Sequence, residues 1–96
     1  MTSIELLQLL KNDLQIMTDS NDTYLSQLIG YAKKQIEREG IVLNDDIECN
    51  MLIVQYAAYL FRKRGSAETA MPRFLRYSLN NLLLSQKGGV LNDNTW

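Results

Sequence analysis

Asn44–Gly65, NDDIECNMLIVQYAAYLFRKRG, holds a start, a body and a stop for one helix. Asn44 is a candidate N-cap, with a side-chain oxygen able to accept one of the unpaired N–H groups of the first turn. Asp45, Asp46 and Glu48 set negative charge at the positive end of the helix dipole. Arg62, Lys63 and Arg64 set positive charge at the other end, and Gly65 suits the position beyond the C-cap. Ile47, Met51, Val54, Ala58 and Phe61 recur at helical spacing, and Leu52, Tyr56, Tyr59 and Leu60 form a second apolar face. A helix that is apolar over most of its circumference must be covered by other elements. The expected fold is all-α, a small bundle of about four helices around this long central one.

Reading outward, Ser3 can cap a first helix over about Ile4–Asp13. Its stripe is Ile4, Leu7, Leu10 and Leu14, leaving Leu6 and Leu9 to widen the core face or to meet another subunit. Asp19–Asp22, DSND, forms turns and caps. A second helix then runs from near Asn21 to about Glu39, with Leu25, Leu28, Ile29, Ala32 and Ile36 as its stripe. On it Lys33–Glu37 attract and Lys34–Arg38 repel across one turn. Gly40 ends it, and Ile41-Val42-Leu43 leads to Asn44. After Gly65 comes a loop, SAETAMP, in which Pro72 suits the first turn of a following helix. That fourth helix spans about Pro72–Gln86, with Phe74, Leu75, Leu79, Leu82 and Leu83 on its apolar side. Gly88-Gly89 is read as its stop. The expected organisation is one helical domain over residues 1–87 and a tail or arm over residues 88–96.

With 96 residues and an apolar share of 46%, the chain suits one small globular domain with a limited core. It has no histidine, which excludes His-based metal sites, proton shuttles and triads. Its one cysteine, Cys49, is read as a small apolar residue in a reducing compartment. No apolar run is long enough for a membrane span, and Met1–Leu14 lacks a signal-peptide pattern. The expected compartment is the cytosol, or an assembly built there. Net charge is −1, yet residues 1–48 carry nine acids against four bases, and residues 49–96 six bases against two acids. Such a division suits head-to-tail contact between copies; accumulated helix-end charges would give the same tally.

Little in the chain looks catalytic. Asp45, Asp46 and Glu48 are explained by capping and the dipole. DSND lacks the later Gly and closing Glu of a calcium loop. No nucleophile elbow or phosphate-cradling glycine loop is present. The expectation is no enzyme activity, no catalytic residue, no cofactor and no metal. The concentrated feature is Arg62, Lys63, Arg64, Arg73 and Arg76, and two readings stay open for it. One is pairing with helix ends and acidic partners; the other is contact with nucleic acid phosphate. A pI of about 5.3 argues against tight autonomous DNA binding. In the tail, the terminal Trp96 has no local core to enter and is either disordered or anchored in a pocket on another subunit or partner, and Val90 and Leu91 are read with it as a partner-docking tail.

The segments Leu10-Lys11-Asn12-Asp13-Leu14-Gln15-Ile16, then Asp22, Leu25, Leu28 and Ala32, then Tyr59-Leu60-Phe61-Arg62, Met71-Pro72 and Leu75-Arg76-Tyr77-Ser78-Leu79-Asn80 follow a recognisable order. Over about residues 5–84 the chain resembles the small head–tail connector (adaptor) proteins of tailed phages and prophages, also called DNA-packaging proteins. The resemblance implies an all-helical subunit without enzyme activity that forms a ring, typically dodecameric, below the capsid portal. The ring extends the DNA channel and gives the tail or a stopper protein a docking face. It also implies the portal and the tail or stopper as partners, possible non-specific contact with passing DNA, no membrane, and a place at the head–tail junction of the virion. On this reading Arg62, Arg64, Arg73 and Arg76 serve subunit contacts or the channel-facing surface, and Val90–Trp96 reaches a neighbour or the portal. The alternative is a small DNA-associated regulatory protein, which would be a dimer with sequence-selective, salt-sensitive binding.

Overall fold

The computed structural model describes residues 1–65 and 70–87 in full and the backbone of residues 88–95. Four helices follow one another, α1 (Ser3–Leu14), α2 (Asp22–Arg38), α3 (Ile47–Lys63) and α4 (Arg73–Thr95), and no strand is found among the described residues. The protein is an all-α bundle. α3 packs against all three other helices. It is central without being the longest: it has 17 residues, as does α2, and α4 has 23. The buried side chains of α3 include the small or compact residues Cys49, Val54, Ala57 and Ala58.

The helix starts follow from side-chain chemistry. Thr2 and Glu5 form a reciprocal capping box on α1, Thr2 Oγ1 accepting from Glu5 N and Glu5 Oε1 accepting from Thr2 N. Asn21 precedes α2 as expected, although its side chain makes no capping hydrogen bond. The cap of α3 is Asp46, not Asn44, because Asp46 Oδ1 accepts from Cys49 N at 2.8 Å. Asp45 is thereby free to accept from Asn50 Nδ2 at 3.0 Å and to meet the amino group of Met1. Pro72 stands just before α4, and its carbonyl receives the N–H groups of Leu75 and Arg76.

Two expectations on faces and ends are corrected. In α1 the core face is Leu6 and Leu10, flanked by half-buried Leu7 and Leu14, while Ile4 is 79% exposed. A leucine-rich helix offers several stripes, and docking against α2 and α3 selects the one centred on Leu6 and Leu10. At the other end of the chain α4 runs through Gly88-Gly89 to Thr95 instead of stopping there. A glycine inside a helix costs only roughly 0.5–1 kcal/mol relative to alanine, a penalty that does not forbid continuation. Trp96 and residues 66–69 lie outside the described residues.

Three ties hold the connections. Lys11 is buried, and its Nζ lies 2.9 Å from Asp19 Oδ1 and 2.8 Å from Asp22 Oδ1, fastening the α1–α2 turn. Gln15 closes α1 in the left-handed region at φ 58°, where Ile16 N donates to Lys11 O. Gly40, at φ 98°, turns the chain after α2; a Cβ there would stand 3.4 Å from Leu83 Cδ1. Beyond that turn the Gln86 amide accepts from Val42 N at 2.8 Å and donates to Val42 O at 2.7 Å, pinning α4 to the α2–α3 connection.

Candidate functional site

The basic residues singled out from the sequence do not form one open patch. Arg62 Nη2 donates to Asp13 Oδ2 at 3.2 Å, tying the end of α3 to the end of α1. Arg76 makes a two-pronged pair with Glu39, at 3.1 and 3.2 Å, which joins α4 to the end of α2. The Glu39 carboxylate pushes the Arg76 guanidinium pKa further up. Arg64 lies over the Phe61 ring at 4.1 Å and beside Tyr24 at 5.6 Å, and Lys63 sits 5.7 Å from the Tyr59 ring. Arg73 is exposed on the first turn of α4. Arg62 and Arg76 thus pair with acids of the same chain, whereas Lys63, Arg64 and Arg73 leave their charge at the surface. The side chains of Val90 and Leu91, like Trp96, fall outside the described residues.

Groups able to act chemically are few and are used structurally. Burial pushes the Cys49 thiol pKa up, which disfavours the thiolate, and its Sγ lies 3.8 Å from Val42 O. Burial likewise raises Tyr56, with Glu39 adding to the effect. Among the described residues no three His, Cys, Asp or Glu side chains gather as metal ligands, and no helix is long and apolar enough to cross a membrane.

The surface carries two further features. One is a groove of about 250 Å³ between α3 and α4, with Met51, Leu52 and Leu82 as apolar lining and Glu48, Gln55, Ser78 and Asn81 as polar walls. Ile47 and Phe74, assigned from periodicity to apolar stripes, are 76% and 57% exposed, and Met51 is exposed as well. The other is the outer face of α2. Tyr24, Gln27, Tyr31, Lys34 and Arg38 are all exposed and follow one another at steps of three and four, opposite the buried Leu25, Ile29, Ala32 and Ile36. That face holds two aromatic rings, two cations and no acid. Its signal was in the sequence as a second helical stripe, hidden behind the stronger apolar one.

No family model, curated protein or solved structure matches the chain.

Proposed function

We propose that the protein is a structural subunit, without enzyme activity, of the junction between capsid and tail in a tailed phage or prophage. It would stand as a ring between the portal and the tail or stopper protein and lengthen the DNA channel. The observation that carries the reading is the pair of unlike surfaces left on so small a body: the α3–α4 groove with Ile47, Met51 and Phe74 exposed about it, and the aromatic and basic face of α2. Apolar side chains exposed on two separate surfaces suit a subunit that meets neighbours on both sides. The resemblance of residues 5–84 to connector proteins supplies the setting. The regulator alternative is weakened because Arg62 and Arg76, two of its phosphate-contact candidates, already pair with Asp13 and Glu39.

The test is addition of the purified chain to portal rings from the same genome, read by electron microscopy. The expected result is a stacked second ring. Deleting the gene should leave DNA-filled heads without tails. Normal phage yield after deletion, or a dimer binding one DNA sequence selectively, would refute the proposal.

A further inference from the structure

We infer that the α3–α4 groove receives the outer face of α2 from a second copy of this chain. The inference deepens the assembly reading, on which it rests, by naming the contact between neighbours. Three observations carry it.

The first is charge. Lys34 and Arg38 sit one helical turn apart on α2, where like charges repel. Neither makes an ion pair among the described residues. Glu48, on the groove wall, and Asp46, just before it, are exposed and without an ion pair among those residues too. An acidic groove wall facing the Lys34–Arg38 pair relieves the repulsion and satisfies both sides.

The second is shape. The groove has an apolar lining of Met51, Leu52 and Leu82 between polar walls. Tyr31 is the more exposed ring of the α2 face, and Tyr24, two turns away and packed on one side by Phe61 and Arg64, stands at its edge. One helix can therefore lay Tyr31 in such a trough with Tyr24 at the rim, as amphipathic helices do in apolar grooves. Their hydroxyls would then face Gln55, Ser78 and Asn81, which offer donors and acceptors.

The third is placement. Phe61 touches Tyr24 of α2, with ring centroids 6.3 Å apart. At about 100° per residue, Phe61 and the groove residue Gln55 lie roughly 120° apart around α3. Met51 and Leu52 of the same groove stand roughly 80° and 180° from Phe61, so the α2 face and the groove are separate patches. A contact between them is heterologous, and repetition of it generates a closed ring or an open filament.

Sedimentation velocity on the purified full chain tests this. The wild type should associate with rising concentration, and added salt should weaken the association. Lys34→Glu/Arg38→Glu alters two exposed positions and Glu48→Lys/Gln55→Lys one exposed and one half-buried position, and circular dichroism checks that each variant folds. Each variant alone should lose association about tenfold or more. An equimolar mixture of the two should regain it, because reversed faces meet reversed grooves. A wild type monomeric at about 1 mM, weaker than any specific contact of interest, overturns the inference. So do variants that associate normally, a mixture that stays monomeric, or association that needs an added oligonucleotide. Those outcomes leave the connector reading standing, since its own tests are the ring stacked on the portal and the phage yield after deletion of the gene.

Discussion

Gln86 joins α4 to the α2–α3 connection through both ends of its amide, and removing that tie has a calculable effect. Gln86→Ala deletes the hydrogen bonds to Val42 N and Val42 O, at 2.8 and 2.7 Å. Each is worth roughly 0.5–1.5 kcal/mol net, while alanine regains a few tenths in helix propensity. The expected loss is about 1–2 kcal/mol, which in a domain of this size lowers Tm by roughly 4–8 °C per kcal/mol. Urea unfolding monitored by circular dichroism measures it. Gln86→Glu adds a test of sign. The ionised carboxylate can accept from Val42 N but meets Val42 O as a second acceptor, so its folded pKa is raised above the unfolded value of about 4.3. A raised pKa contributes stability that is fully present below the unfolded value and is lost as pH rises through the folded one. Relative to Gln86→Ala, the glutamate variant should therefore gain on acidification from pH 7 towards pH 4. A Gln86→Ala variant within about 0.5 kcal/mol of wild type, or a glutamate variant that tracks the alanine one at every pH, refutes this account of the tie.

Gly40→Ala should lose about 1 kcal/mol in urea melts, because alanine at φ 98° is strained and its Cβ stands 3.4 Å from Leu83 Cδ1; unchanged or raised stability would remove the turn from the argument. Asp19 is held below the usual carboxylate range by Lys11, and Asp45 by Asn50 and the Met1 amino group. Depressed pKa values contribute stability present above about pH 4 that disappears as pH falls through the folded values. Lys11→Met should accordingly flatten the acid limb of the stability profile, and an unaltered limb would show that Asp19 does not feel Lys11. Gly88→Ala/Gly89→Ala should raise helical ellipticity and slow amide exchange over residues 88–95, by roughly 0.5–1 kcal/mol per site in local opening; no change would restore the earlier stop at Gly88.

Much of the fold was legible because local signals and burial agree. Of the stripe read for α2, Leu25, Ile29, Ala32 and Ile36 are its buried residues and Leu28 is half-buried. The acidic start and basic end of α3 bracket the helix to within a few residues. What escaped reading depended on neighbours. Leu6 and Ile4 are equally apolar, and only packing against α2 and α3 decides that Leu6 goes in and Ile4 out. Asn44, Asp45 and Asp46 are all good caps, and the choice of Asp46 is made by its reach to Cys49 N. The candidate surfaces were the least legible part. Arg76 reads from the sequence either as a partner of acids and helix ends or as a phosphate contact, and only the fold brings Glu39, 37 positions away, opposite it. Phe74 and Met51 looked like core because periodicity registers apolar character without registering whether anything lies across from it.

The walled-in cation of α1 has a practical corollary. Amine-acylating reagents reach Lys34, Lys63 and Lys87 on the intact molecule, since all three side chains stand in solvent. Lys11 is only 8% exposed, and its protonated form is favoured by Asp22 and Asp19, so it meets such a reagent once α1 and α2 come apart. Its acylation, read by mass spectrometry, is a built-in gauge of whether a given preparation holds folded molecules.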